Sequence, residues 1–346
     1  MKESIRIRSI TYFFRNRKSG YSMHRVFMPI VSALQDYCKN DEIHHIDALC
    51  HRADPISVFR NILYAFRHRN TRGINHVTGD CHYLILGLVG CKKVLTIHDL
   101  VTLQLSGNKF KRWFLRKMWF ELPLKKADII TCISEKTRQE VLREFDVNPE
   151  KVLVVHNAVD SAYRYAPRSF NETCPRILHI GTGWNKNLEG VILALRGIRC
   201  VLVIVGCLTD GQRELLCEGG IKYENRVGIS DEQMLQEYID CDIVSFPSLF
   251  EGFGMPIIEG QAIGRPVITS DLEPMTEVAG DGAVFVNPRD VASIRRGVLK
   301  VISDESVRDD VVLRGLQNAK RYDVDVITRR YGEVYDRLEM GYANVI

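Results

Sequence analysis

Apolar and polar positions follow two periods along this chain. Mostly apolar runs at 4–14, 42–48, 73–78, 93–98, 127–133 and 151–155 are separated by helix-periodic stretches, the clearest from Tyr21 to Tyr37. Runs of this kind read as strands, and strands alternating with helices predict βαβ units around a parallel sheet. The pattern lapses from Asn157 to Pro175, where polar and proline residues gather. It restarts with strands at 176–180, 200–205, 223–227, 242–246, 266–269 and 283–286, and helical segments at 186–195 and 231–238 lie between them. From Val291 to Met340 the pattern is helical, with breaks near Asp304 and Asp323. The predicted fold is α/β, with two Rossmann-like doubly wound parallel-sheet domains at 1–165 and 166–325 and a terminal helix, 326–346, returning to the first. Ligands of such sheets bind outside the carboxyl ends of the strands, so a cleft between the two domains is the expected site.

One stretch stands out chemically. Residues 245–260, SFPSLFEGFGMPIIEG, place Glu251 and Glu259 on either side of a Gly-Phe-Gly-Met-Pro turn that leads from an apolar run into a helical one. Proline just inside a helix start, after a glycine turn, leaves unpaired amides and the positive end of the helix dipole facing an anion. If the span were wholly helical, the two glutamates would lie roughly 12 Å apart. A glycoside-hydrolysing carboxylate pair needs about 5–9.5 Å. The two are therefore read as hydrogen-bond acceptors for different parts of one ligand, with hydroxyls at each end and phosphate between, as in a nucleotide sugar.

Composition narrows the class without adding chemistry. The chain has 346 residues, enough for two cores, with 45% apolar and 26% charged residues. A net charge of +4 is too mild to imply a nucleic-acid partner. The longest uncharged apolar run, from Tyr83 to Gly90, falls far short of the ~20 residues of a membrane span. Arg6, Arg8, Arg15 and Arg17 interrupt any secretory signal core. None of the 10 cysteines forms a Cys-x-x-Cys pair, and the expectation is buried, reduced thiols in a cytosolic protein. The triplet Asp240-Cys241-Asp242 has the Asp-x-Asp form of a metal site. It spans a helix end and a strand start, so ordinary packing is expected there and no metal.

Several segments together resemble a known family. Phe246-Pro247-Ser248, Glu251-Gly252-Phe253-Gly254-Met255-Pro256, Glu259 and Gly264-Arg265-Pro266-Val267 resemble the donor-binding signature of family 4 retaining glycosyltransferases, which have the GT-B fold. His98-Asp99-Leu100, Ser134-Glu135, Asn157-Ala158-Val159-Asp160, Gly181-Thr182 with Lys186-Asn187, and Glu277-Val278-Ala279-Gly280-Asp281 follow the family's order. The resemblance implies catalytic roles for Glu251, His98 and Lys186. Glu251 would bind donor-sugar hydroxyls, Glu259 the ribose, and Lys186 the diphosphate. Gly252, Phe253, Gly254, Met255, Gly181 and Thr182 would contribute backbone contacts to the donor, and Val227, Gly228 and Ile229 would meet the nucleobase. Ser19, Gly20 and Tyr21 occupy the first βα loop, where the family places phosphate and acceptor contacts. Three departures stand out: a single glycine in that loop, no arginine shortly before Lys186, and His156 with Ala158 where proline and glycine are usual.

The implied activity is transfer of a hexose, with retention, from a GDP- or UDP-sugar to a glycan or lipid-linked glycan of bacterial surface polysaccharide, without metal or other cofactor and without nucleic acid. A nucleotide-sugar epimerase of the same fold and a non-catalytic nucleotide-sugar-binding protein are the alternatives. The basic and aromatic segment 109–126, KFKRWFLRKMWFELPLKK, fits an anionic membrane surface and fits a packed amphipathic helix equally well. The expected location is cytoplasmic, with peripheral contact at the inner membrane face if the first of these holds.

Overall fold

Near-continuous apolar strands such as Val201–Val205 (VLVIV) can be buried only if helices cover both faces of their sheet. A computed structural model of the chain, which describes residues 9–19, 22–37, 42–104 and 109–340, has this arrangement twice. The chain divides into two compact units, Met1–Ala158 with Val324–Ile346, and Val159–Asp323.

In the first unit, β1 (Ser9–Phe14), β2 (Glu42–Asp47), β3 (Ile74–Val77), β4 (Lys92–Ile97), β5 (Ile129–Cys132) and β6 (Val152–Val154) form one sheet in the order β2-β1-β3-β4-β5-β6, every pairing parallel. Alternation along β1 sends Ile10, Tyr12 and Phe14 into one core and Phe13 into the other. The first core is completed by helix α1 (Ser22–Tyr37) and by the helix Val324–Met340. Helix α2 (Pro55–His68) helps close the second, through Val58 and Ala65. Asp54 caps α2 by accepting the Ser57 amide at 3.0 Å, and Pro55 opens its first turn.

A buried polar chain ties the helix Val324–Met340 to the sheet. The Tyr12 and Tyr335 hydroxyls lie 2.7 Å apart, Tyr335 meets His76 Nδ1 at 2.8 Å, and His76 Nε2 meets the Thr96 hydroxyl at 2.7 Å. Each polar group on this path has a partner, as burial requires.

The second unit repeats the plan with β7 (Arg176–Ile180), β8 (Val201–Val205), β9 (Tyr223–Arg226), β10 (Ile243–Phe246), β11 (Val267–Ser270) and β12 (Val284–Val286), ordered β12-β11-β10-β7-β8-β9 and again all parallel. All twelve predicted strands are present. Among the described residues no helix is long and apolar enough to cross a membrane.

Burial depresses His76 to a pKa of about 3, with the nearby His98 adding to the effect, and depresses His179 on β7 to about 4, again chiefly through burial. An imidazole whose folded pKa lies below its unfolded value takes up protons preferentially when unfolded, so its stabilisation is whole above the unfolded pKa near 6.5 and falls as pH drops toward the folded value. Each unit should therefore lose about 1 kcal/mol from this source between pH 7 and 5.5. Urea unfolding at the two pH values checks this, and coincident midpoints would show that these histidines do not titrate as buried neutral groups.

Candidate active site

Strand order in the second unit reverses at β7: β8 and β9 lie on one side of it, and β10 to β12 on the other. The loops leaving β7 and β10 therefore diverge, and the gap between them is where doubly wound sheets bind ligands. The chain leaves β7 through Gly181, Thr182 and Gly183 into a single turn, Trp184–Lys186, and then the helix Leu188–Leu195. Gly181 has φ +93°, and a Cβ there would lie 2.7 Å from Cγ of Lys186. Only glycine lets the lysine stem lie against that backbone. Asn187 takes the left-handed conformation at φ 60°, which asparagine tolerates better than most residues. Its amide donates to the carbonyls of Pro247 at 3.1 Å and Pro288 at 2.7 Å. The Leu249 amide donates to the Asn185 carbonyl at 2.8 Å, and Asn185 Nδ2 to the Phe250 carbonyl at 3.0 Å. These four hydrogen bonds tie the end of the β7 loop to the segments at 247–250 and at Pro288.

The product of this stitching is a charge pair. Lys186 Nζ donates to Glu251 Oε1 at 2.6 Å, Asn185 Nδ2 lies 3.4 Å from the same oxygen, and Nζ stands 4.9 Å from the Phe246 ring centroid. The Lys186 side chain is 25% exposed and that of Glu251 12%. Both charges are sheltered enough to attract strongly, yet each remains open to solvent.

Past Glu251 the chain reaches Gly254, φ +112°, which stands at the head of the helix Met255–Ile263 with Pro256 in its first turn. Phe253 is buried edge-on to Tyr322, with centroids 5.8 Å apart, so its side chain anchors the turn and only the backbone around it is left for a ligand. Gly252, Gly254 and Met255 belong to the same turn at the helix head. Glu259 lies within that helix, buried, and its Oε2 accepts the Tyr238 hydroxyl at 2.5 Å. Thr182 spends its hydroxyl on the Cys207 carbonyl at 2.7 Å. Val227, Gly228 and Ile229 follow β9, with Val227 exposed and Gly228 at φ +65°. The spacing of neighbouring strands puts β9 about 10 Å from β7. Of the residues predicted for the donor, Lys186 lies against Gly181 and bonds Glu251, whereas Glu259 is held by the helix Asp231–Asp240. Asp242, from the Asp-x-Asp triplet, accepts from Arg168 Nε at 2.9 Å, the Arg176 amide at 2.7 Å and the Asn171 amide at 3.3 Å. Strand packing accounts for it.

The first unit has its own reversal between β1 and β3, and an ion pair stands there as well: Arg15, after β1, binds Asp80, after β3. Beside them lies a cavity of about 240 Å³ whose wall includes Arg15, Ser19, Arg52, Asp80, Asp99 and Trp119. Burial raises the Asp99 carboxyl, while the amide of Val101, donating at 3.0 Å, works the other way. His98 is buried one residue earlier, donating from Nε2 to the Thr78 carbonyl at 2.8 Å, and it packs on Gly79, where a Cβ would meet its ring at 2.4 Å. Asp99, rather than His98, faces the cavity. Ser19 lines the same wall and donates to the His51 carbonyl at 2.8 Å, while Gly20 and Tyr21 lie outside the described residues.

Sequence reasoning assigned no role to Asn185, Arg15 and Asp80, and quoted Asn187 only as part of a family segment. Only Asn187 carried a local signal, an asparagine immediately before a helix start. In segment 109–126, Trp119 and Phe120 are core, and Trp119 Nε1 donates to the Asp80 carbonyl at 2.8 Å. Trp113 is exposed.

Comparison with known proteins shows what the chain is similar to. The family model described as Glycosyl transferases group 1 matches residues 167–317, and the one described as Glycosyltransferase Family 4 matches residues 45–163. The chain is 27% identical over 278 residues to O-antigen chain mannosyltransferase B of Escherichia coli, covering 71% of each protein. Among solved structures, sucrose-phosphate synthase from Thermosynechococcus elongatus superposes with a TM-score of 0.76 at 14% identity, over 96% of this chain and 99% of that one. Anabaena HepE, in complex with UDP and glucose, gives 0.74 at 14% identity over 95% and 99%.

Removing one partner of the sheltered pair leaves the other without its counter-charge. Lys186→Met should destabilise the second unit by about 1–2 kcal/mol, and adding Glu251→Gln should recover at least half of that loss. A double-mutant cycle from urea unfolding measures the coupling, and strictly additive losses would mean that the pair contributes nothing.

Proposed function

The chain belongs to the glycosyltransferases of the GT-B fold, joining a Glycosyltransferase Family 4 domain to a Glycosyl transferases group 1 domain, and we propose that it is a retaining hexosyltransferase using a nucleotide-diphosphate sugar. The observation that carries this reading is the Lys186–Glu251 pair at the β7/β10 reversal, with the head of the helix Met255–Ile263 a few residues on. A cation and a set of amides suit a diphosphate, and a carboxylate beside them suits sugar hydroxyls. In the proposed donor complex Lys186 turns from Glu251 to the diphosphate and leaves the carboxylate to the hexose. Val227, Gly228 and Ile229 are the proposed nucleobase contacts, and Glu259 is proposed to reach the ribose. That HepE was solved with UDP and glucose supports a donor of this class, and the E. coli relative's activity favours mannose.

The proposed chemistry is front-face displacement. The bond from the anomeric carbon to the phosphate oxygen breaks, a bond to the acceptor oxygen forms on the same face, and the acceptor proton passes to the departing phosphate. Lys186 and the helix amides would stabilise the leaving charge without metal, as oriented donors do in other sites. For the acceptor, the proposed site is the cavity of the first unit, whose Asp80, Asp99 and Arg15 offer both acceptors and donors to a polyol. An epimerase would have no need of such a cavity. The acceptor we favour is a glycan of bacterial surface polysaccharide, as in the relative's O-antigen chain.

A thermal-shift panel of GDP, UDP, GDP-mannose and UDP-hexoses tests the donor. The true donor at a hundred times its Kd should stabilise by about 2.7 kcal/mol, and no shift with any member would refute the donor site. Glu251→Ala should lower kcat at least 100-fold with the fold intact by circular dichroism. Turnover within threefold of the unaltered protein would remove Glu251 from the site. Asp99→Asn should raise the KM for acceptor at least fivefold and leave donor binding unchanged; an unchanged acceptor KM would exclude the cavity.

A further inference from the structure

Helix α2 buries one side and leaves a second apolar side bare. Val58, Asn61 and Ala65 face inward, and the fit is close, since a Cβ on Gly87 would lie 2.3 Å from the Ile62 carbonyl oxygen. Ile56 at 73%, Phe59 at 67%, Phe66 at 42% and Leu63 at 38% exposure lie on the outside. At 3.6 residues per turn these four fall within about 80° of the helix circumference. Soluble proteins do not usually leave a contiguous stripe of this kind uncovered unless something binds it.

Charge indicates what covers it. Arg60 and Arg67 border the stripe, and the helix Pro55–His68 contains no acidic residue. Residues 51–72 carry Arg52, Arg60, Arg67, Arg69 and Arg72 against Asp54 alone, a net +4 that equals the formal net charge of all 346 residues. Arg69 also stacks its guanidinium 3.7 Å from the Phe66 ring centroid, which keeps a cation beside the aromatic side chain. Aromatic and branched side chains flanked by arginine on one exposed helical face match the boundary between acyl chains and anionic headgroups. A protein partner would need an acidic rim of matching shape, whereas a bilayer presents phosphate continuously.

We propose that α2 docks this protein on an anionic lipid bilayer, with Ile56, Phe59, Leu63 and Phe66 entering the acyl boundary and Arg60 and Arg67 meeting lipid phosphate. Segment 109–126 is the weaker candidate, because Trp119 and Phe120 are core and only Trp113 of its tryptophans is exposed. The residues leading into α2, Cys50 to Ala53, form part of the wall of the first-unit cavity. If glycosyl transfer is the activity, docking through α2 therefore suits an acceptor carried on lipid. That consequence rests on the functional reading above, but the docking itself does not.

Flotation of the full chain with vesicles of phosphatidylcholine alone, or mixed with phosphatidylglycerol, tests the proposal. Partition should rise at least tenfold with the anionic lipid. Phe59→Ser with Leu63→Ser should return it to the neutral-vesicle level, and Arg60→Gln with Arg67→Gln should lower it at least threefold. These side chains lie outside the core, so the melting temperature and the nucleotide-induced thermal shift should be unchanged, which keeps a failure of docking separate from a failure of the donor site. The proposal is overturned if the unaltered protein ignores anionic vesicles. It is likewise overturned if the Phe59/Leu63 variant floats as well as the parent while Trp113→Ser abolishes flotation, or if that variant only dissolves a dimer seen by sedimentation.

Discussion

A parallel sheet whose crossovers all turn the same way can widen on both sides of its first strand only by reversing order there. Both units meet that constraint at their first strand, β1 or β7, and both place a cation after it: Arg15 opposite Asp80, and Lys186 opposite Glu251. The ion pair of the second unit depends on how the gap is braced. A lysine and a glutamate separated by 65 positions meet at 2.6 Å because Asn185 and Asn187 tie the loops beneath them. Gly181 serves the same end by removing the one atom that would push the lysine stem aside.

Polar groups also hold the first unit together in its interior. Tyr12, His76, Thr96 and Tyr335 form a chain of hydrogen bonds within one core, and Thr131 extends it at 2.7 Å from Thr96. Such a network is stabilising only when complete, because each buried group left unpaired would incur its full desolvation penalty. It also fixes which helix can cover that face of the sheet. An apolar surface alone would accept several helices, but the Tyr335 hydroxyl has a single place to go.

Most of the fold was legible because strand and helix periods differ and the chain keeps them apart. The twelve strands, the proline-led helix at Met255 and the pairing of Lys186 with the glycine turn before it all follow from local pattern. What escaped was set by distant contacts. Nothing near Asn185 announces the Phe250 carbonyl, and Arg15 resembles any loop arginine until β3 brings Asp80 alongside. Segment 109–126 carried two readings, an interfacial helix and a packed amphipathic one, and the widened turn at Arg116–Glu121 that directs Trp119 and Phe120 inward is not legible in its composition. Helix α2 carried the more exposed apolar face, and only burial reveals it, since Phe59 and Val58 look alike in a sequence.

The bond between His76 and Tyr335 spans 259 positions, and the whole second unit is contained between them. The ends of that unit are neighbours, as the Val159 amide donates to the Tyr322 carbonyl at 2.8 Å. A ribosome therefore completes an uninterrupted second unit before it supplies the helix that the first unit lacks. The first unit must wait without the Tyr335 hydroxyl that Tyr12 and His76 meet and with one face of its sheet covered by α1 alone, so the usual amino-to-carboxyl order of domain completion is inverted. Joining Ala158 directly to Val324 would let the first unit finish without that delay.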